Sequence, residues 1–327
     1  MTAEERRGPT VASNGPTAAA PAGVRDEVLA AFADEVGEEG PVAVAGGRTK
    51  WAIGGGPAAG VRVVAAPAGV VEYEPAEMTV RVRAGTTVAD LDAALAGSGQ
   101  GVALPMVPGS TVGGALAVGH NRITALRDGP VRDVLLEARY VSAEGRLVKA
   151  GGPTVKNVSG YDLCRLLVGS LGTLGLLAEV VVRTRPRPPC SRWLAGAADP
   201  GAVRSALYRP SAVLWDGRTT WVCLQGHEVD VDAEGALLDD LGMDVVDGPP
   251  ALPPHRHRVD PAAVPGLVES LPGGFVAEVG VGVVHASTPP PTPSVAEPVA
   301  DLCRRVKAQF DPTGRLNPGR DPLAVTR

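Results

Sequence analysis

Glycine gathers at three places far apart along this chain, and that spacing constrains the fold more than any other feature. The patches are AVAGGRTKW at 43–51, LPMVPGSTVGGALAVGHN at 104–121 and KNVSGYDLCRLLVGSLGTLG at 156–175. Each lies against an apolar run that reads as core, so bare backbone occurs where side chains ordinarily pack. Two kinds of structure ask for this. One is a crossing of chain segments too tight for a Cβ; the other is a flat or charged ligand laid against main-chain amides.

Both readings stand for each patch. In the first, amides freed by Gly46 and Gly47 can form a nest for an anion, with the Thr49 hydroxyl and the Lys50 charge beside it; the alternative is a turn between strands. In the second, Pro105 and Pro108 stiffen the approach through Gly109. Ser110 and Thr111 can cap a helix whose first amides Gly113 and Gly114 leave open to a phosphate, or the small residues merely pack that helix start. In the third, Gly169, Ser170, Gly172, Thr173 and Gly175 recur too often for one turn, and Gly160, Tyr161 and Asp162 add a phenol and a carboxylate. No GxGxxG joins a strand to a helix, and GGRTKW lacks the spacing of a phosphate loop, so a bound nucleotide would need another scheme.

The bulk properties narrow the classes further. A chain of 327 residues exceeds one comfortable core, so two domains are expected. A net charge of −5 offers no basic stripe for a polyanion, which argues against nucleic acid as partner. Cys164, Cys190, Cys223 and Cys303 form no ligand cluster, so neither zinc nor an iron-sulfur cluster is expected on this chain, and a reducing cytoplasm fits. Residues 1–23, rich in Ala, Pro and Gly, read as a disordered leader. No apolar run is long enough for a transmembrane segment.

Periodicity places the patches in an α+β order. Val24, Val28, Leu29, Phe32 and Val36 predict a helix over 24–37 stopped by Gly37. Short β-like runs follow at 41–45, 61–66, 70–74 and 79–84, then a helix from the threonines of TTVADLDAALAG. DVLLEARYVSAEGRLVKAG reads as a hairpin turning at Ala143–Gly145, and 176–185 as a long strand. The prolines at 186–189 mark the main boundary. Beyond it come strands at WLAGA, VLWD and TTWVCLQG, helices at 199–208 and 231–241, a proline-rich connector, and a last helix at 295–309. The expected domains are 24–188, 189–290 and a return segment over 291–327.

Read together, AVAGGRTKW, PGSTVGGALAVG, the stretch from RDGPVRDVLL to VVVRTRPRP, and KAQFDPTGRLNPGR resemble the FAD-binding oxidoreductases of the vanillyl-alcohol oxidase (PCMH-type) superfamily. The resemblance is strongest to the branch holding the FAD-binding E subunits of bacterial glycolate oxidases. It implies a PCMH-type FAD-binding domain of two α+β subdomains, with a smaller α+β substrate or cap domain. Carried over by position, Gly46, Gly47, Thr49 and Lys50 belong to the first pyrophosphate loop. Pro108, Gly109, Ser110, Thr111, Gly113 and Gly114 form the second. Gly160, Tyr161, Asp162, Gly169, Gly172, Thr173 and Gly175 line the flavin. Arg48 stands where the family often has a third glycine. Loops 45–51 and 104–114 contain neither His nor Cys, so non-covalent FAD is expected.

The implied activity is oxidation of a small 2-hydroxy acid such as glycolate, within a complex whose other flavin and iron-sulfur subunits take the electrons. The protein would be cytoplasmic, reaching a membrane only through partners. The alternative is an FAD-carrying structural or electron-transfer subunit without turnover of its own. Such oxidation needs a base for the hydroxyl proton and a cation for the carboxylate. His227 and His285, each beside a β-like run, are the candidate bases, or else structural histidines. His255 and His257 in PPHRHR read as a solvated basic loop, and His120 as a surface residue at a helix end. Asn317, with Lys307 and Arg315, lies in a tail that the resemblance returns toward the flavin.

Overall fold

Helix α1 (Glu27–Val36) begins where Asp26 caps it, its carboxylate accepting from the amides of Val28 at 3.1 Å and Leu29 at 3.3 Å. It ends at Gly37, whose φ of 63° only glycine adopts readily. The computed structural model describes residues 26–152, 162–267, 271, 274–289 and 295–325. The leader, Gly160 and Tyr161 lie outside them.

After α1 the chain lays down β1 (Val42–Val44) and β2 (Arg62–Val64) as a parallel pair. Strands β3 (Val70–Glu74) and β4 (Thr79–Arg83) follow, then α2 (Val88–Ala96), β5 (Gln100–Val102), α3 (Val112–Val118) and the short α4 (Ala125–Asp128). The hairpin β6 (Leu135–Val141) and β7 (Leu147–Gly151), helix α5 (Leu163–Leu167) and the long β8 (Leu176–Pro186) complete this half. Its antiparallel sheet runs β3-β4-β8-β6-β7, with β5 on the far end of β8.

Alternation sets the faces of that sheet. Val80, Val82, Val180, Val182 and Ala138 turn inward onto Leu91 and Leu95 of α2, Leu116 of α3 and Leu167 of α5. A second core gathers Leu29, Phe32 and Val36 of α1 with Val42, Val64, Val141 and Leu176. Leu316 from the far end of the chain completes it, bridging in parallel to Val42. The return segment is fixed there by Val42 N to Arg315 O at 2.9 Å and Asn317 N to Val42 O at 2.8 Å. The buried Arg315 guanidinium donates to the carbonyls of Val36, Glu39, Gly40 and Ala143, tying the tail to the end of α1.

On the other sheet face, Glu137 and Glu179 are buried beneath arginines. Arg81 Nη1 lies 2.9 Å from Glu137 and 3.3 Å from Glu179, Arg139 lies 3.3 Å from Glu179, and Lys149 Nζ lies 3.0 Å from Glu137. Burial pushes the Glu137 carboxyl up, but the hydrogen bonds from Arg81 and Lys149 outweigh it and hold the group below its ordinary 4.5. A depressed folded value means the contribution is complete at neutral pH, starts to fall as pH drops through 4.5, and is gone below the folded value. Urea titrations should therefore show Glu137→Gln less stable by roughly 1–3 kcal/mol at pH 7. Its stability should also fall less between neutral and acid pH than that of the parent; equal slopes would remove Glu137 from the account.

The sheet changes at the proline cluster. From β9 (Cys190–Gly196) the chain builds a seven-stranded antiparallel sheet, with α6 (Pro200–Ala206), β10 (Ala212–Trp215), β11 (Thr220–Gly226), α7 (Glu228–Asp239), β12 (Met243–Val246), β13 (His255–Arg258), β14 (Phe275–Glu278) and β15 (Val283–Ala286), in strand order β12-β9-β11-β10-β14-β15-β13. Val203 of α6 and Val231 and Leu238 of α7 cover it with Leu194, Val213, Val222 and Leu224. Helix α8 (Glu297–Phe310) then leads back to the first half.

PPHRHR is not a solvated loop: its HRHR forms β13, with Arg256 directly opposite His285 of β15. His257 is buried, its Nε2 2.8 Å from the Thr288 carbonyl. Period-two alternation, with one side of the run turned inward, is the signal that the surrounding prolines obscured.

Candidate functional site

The first loop leaves β1 and crosses directly over the second. A Cβ on Gly47 would overlap the carbonyl oxygen of Gly109, and one on Gly46 would overlap the Thr111 hydroxyl. The two patches can approach this closely only as glycines. The amides of residues 46–50 donate to no group among the described residues. Arg48 sits at φ 54°, a left-handed conformation that costs a non-glycine residue about 1–2 kcal/mol. Alternating hands turns successive amides to one side, which is how a nest is built.

Between the loops runs a crevice lined by Gly46, Gly47, Thr49, Lys50, Ser110, Thr111, Gly114 and Asn317. Arg48, Lys50 and Arg320 bring positive charge to it, and no Asp or Glu is among its lining residues, although the whole chain is net negative. Ser110 Oγ is buried there with no hydrogen-bond partner among the described residues. An inner lobe continues past Gly113, Ser170, Gly172 and Gly175, sharing Thr111, Gly114 and Asn317 with the outer one. The volumes, about 130 and 60 Å³, are smaller than ligand pockets of about 300–1,000 Å³.

The other predicted residues are placed behind the crevice or away from it. Pro108 and Gly109 back the second loop. The first three amides of α3 are already engaged, Val112 N with Thr86 O at 2.8 Å, Gly113 N with Ala84 O at 2.8 Å and Gly114 N with its cap Thr111 Oγ1 at 3.2 Å. The helix start is therefore packed, and the open donors belong to the first loop. In the third patch Gly169 N and Leu171 N cap the end of α3 through Leu116 O and Ala117 O, both at 2.9 Å. The Thr173 hydroxyl donates to Ser170 O at 2.7 Å. Gly175 faces the Tyr140 ring, and Asp162 caps α5. Much of the bare backbone in this patch thus serves chain crossings.

Residues from the tail complete the walls. Asn317, at φ 45°, donates from Nδ2 to Leu171 O at 2.6 Å. Lys307 Nζ joins Thr173 O at 2.7 Å to the buried Asp311 at 2.5 Å. Arg320 was not singled out from sequence; it bonds the carbonyls of Trp51, Ile53 and Gly55, and its guanidinium lies 4.7 Å from the Trp51 ring centre. The basic NPGR ending was the available signal. His120 lines the crevice instead of the surface.

The crevice opens into a cleft shared with the second sheet. Arg48, Thr49, Lys50, Pro105, Val107 and His120 line both, and the far wall carries His255, Arg256, Glu278 and His285. His285 Nε2 lies 2.8 Å from Oε1 of the buried Glu278. Glu278 Oε2 is buried without a hydrogen-bond partner among the described residues. His227, exposed at the start of α7, lines neither space. Burial pushes the Cys164 and Cys223 thiols up to about 11, which leaves them protonated and inert at neutral pH. Among the described residues no three His, Cys, Asp or Glu side chains are grouped to hold a metal. No helix among them is long and apolar enough to cross a membrane.

Residues 16–151 match the FAD binding domain family. The chain is 35% identical over 182 residues to glycolate oxidase subunit GlcE of Escherichia coli, covering 52% of this chain and 51% of that protein. It is 40% identical over 107 residues to a D-lactate dehydrogenase of Archaeoglobus fulgidus, covering 32% of this chain and 24% of that one. It thus spans about half the length of one curated relative and a quarter of the other. Among solved structures, alkyldihydroxyacetonephosphate synthase superposes with a TM-score of 0.65 at 16% identity, over 89% of this chain and 73% of that one, which shows a shared fold. The open amides, the orphaned Ser110 hydroxyl and the glycine crossings fit the phosphates and edge of such a cofactor. The chain therefore carries a PCMH-type FAD-binding domain, and over about half of its length or less it is related to glycolate oxidase subunits and D-lactate dehydrogenases.

Proposed function

We propose that the chain holds FAD non-covalently and oxidises a small 2-hydroxy acid of the glycolate or D-lactate class, passing the electrons to a partner protein. The observation that carries this reading is the shared cleft, in which a cation-lined cofactor crevice faces Arg256 and the His285–Glu278 pair. Bound FAD supplies the hydride acceptor.

The chain's own residues supply the rest. Gly46, Gly47, Thr49 and Lys50 hold the pyrophosphate through open amides, a hydroxyl and a charge. Ser110 donates its free hydroxyl, and Gly114, Gly172 and Asn317 shape the inner lobe. Arg256 binds the substrate carboxylate. With His285 Nε2–H donating to Glu278, Nδ1 carries the lone pair that accepts the substrate hydroxyl proton, and the Glu278 carboxylate stabilises the imidazolium that results.

The test is anaerobic. The purified full chain loaded with FAD should bleach near about 450 nm when glycolate or D-lactate is added. A flavin that stays oxidised with both acids, while dithionite bleaches it, would contradict the catalytic reading and leave an electron-transfer subunit.

A further inference from the structure

We propose that the arginine-lined groove between the two halves of the molecule docks an acidic polypeptide segment of a partner protein. The groove lies between the end of β8 and the α6–α7 side of the second sheet, and its volume of about 1090 Å³ exceeds the usual range for a small-molecule site. Its walls hold six arginines against four carboxylates, in a chain whose overall charge is negative. Two of the six are paired, Arg187 with Asp92 at 2.9 Å and Arg122 with Asp128 at 3.8 Å.

The remaining four, Arg127, Arg183, Arg185 and Arg209, have no carboxylate within 4.0 Å among the described residues. Arg127 reaches only Gln225 Oε1, at 3.3 Å, and Arg185 only the Arg127 carbonyl, at 3.5 Å. The guanidinia of Arg183 and Arg209 have no hydrogen-bond partner there. Like charges brought together without counter-charges repel, and an incoming carboxylate row removes that repulsion while making forked hydrogen bonds.

The apolar rim decides between a polypeptide and a simple anion. Tyr208 is 86% exposed, Met106 48% and Met78 42%, all on the groove. Tyrosine, methionine and arginine are the residue types that interfaces concentrate, and a phosphate or citrate ion has no use for the first two. The groove also communicates with the substrate cleft. Met106 and Arg122 line both, and Met106 stands between Pro105 and Val107 of the cofactor crevice. A segment seated there lies beside the redox site. The identity of its owner as electron acceptor rests on the proposed function; the docking itself does not.

Fluorescence anisotropy with the full chain tests this. The probe is a fluorescein-labelled Glu-Glu-Leu repeat peptide, with a Lys-Lys-Leu repeat as charge control. The acidic peptide should bind, the basic one should not, and affinity should fall steeply between about 50 and about 300 mM salt. Arg183→Glu with Arg185→Glu should weaken binding by about tenfold or more, and so should Arg209→Glu with Tyr208→Ala, whose side chains are exposed and leave folding intact. Arg304→Glu with Arg305→Glu on α8 should change nothing. Equal binding by all three double variants overturns the proposal. So does displacement by inorganic pyrophosphate together with indifference to the Tyr208 change, which would make the groove a small-anion site. A chain that fails to bleach with hydroxy acids but binds the peptide in this pattern refutes the catalytic reading alone.

Discussion

Gly47→Val is expected to cost the chain its flavin. The new Cβ would occupy the place of the Gly109 carbonyl oxygen, so the first loop must lift off the second, taking the open amides of residues 46–50 with it. In the proposed function those amides and Lys50 face the pyrophosphate, and no other element among the described residues lines the crevice with a comparable set. Affinity for FAD should fall by at least about 100-fold, close to 3 kcal/mol. The loop is at the surface and the two cores do not include it, so the thermal transition should survive with a modest shift. Gly97→Ala, at a helix end with open space around it, should keep the full flavin complement. A colourless Gly97→Ala, or a yellow Gly47→Val, would contradict the placement.

The second large effect belongs to the far wall of the cleft. His285→Ala should retain FAD yet lower kcat by about 10²–10⁴-fold, the range associated with losing a general base. Glu278→Gln keeps the shape but removes the charge that stabilises the imidazolium, and should lower kcat as well. Arg256→Met should act chiefly on KM, because the carboxylate contact is made before and during reaction alike. His227→Ala, remote from the cleft, should be silent. Full turnover in His285→Ala would transfer the proton to another group and end this assignment.

The class of the fold was readable because its signals are local. Asp26 and Gly37 punctuate α1, Thr87 caps α2, and alternation in TVRVR declares a half-buried strand of the first sheet. What was hidden depends on partners distant in sequence. β14, FVAE, is a four-residue run too short to show a period, and β13 has a charged face that looks like a loop until it lies opposite β15.

Glycine marked the candidate site but could not by itself assign its purpose. The same lack of a Cβ serves a loop crossing at Gly47, a contact with Tyr140 at Gly175 and a wall of the crevice at Gly114. Which amides remain open was decided by the return of Ala84, Thr86 and the α3 carbonyls to the second and third patches. Arg320 and Asn317 reach the crevice only because Leu316 pairs with β1, a contact across most of the chain.

The most direct measurement is a titration of the apo chain with FAD and, separately, FMN, followed by acid precipitation of the complex. The account predicts one FAD per chain, appearing in the supernatant after precipitation. It also predicts that FMN, which lacks the pyrophosphate that the first loop holds, binds at least about 100-fold more weakly. Equal affinity for the two flavins, or no flavin bound at all, would contradict it.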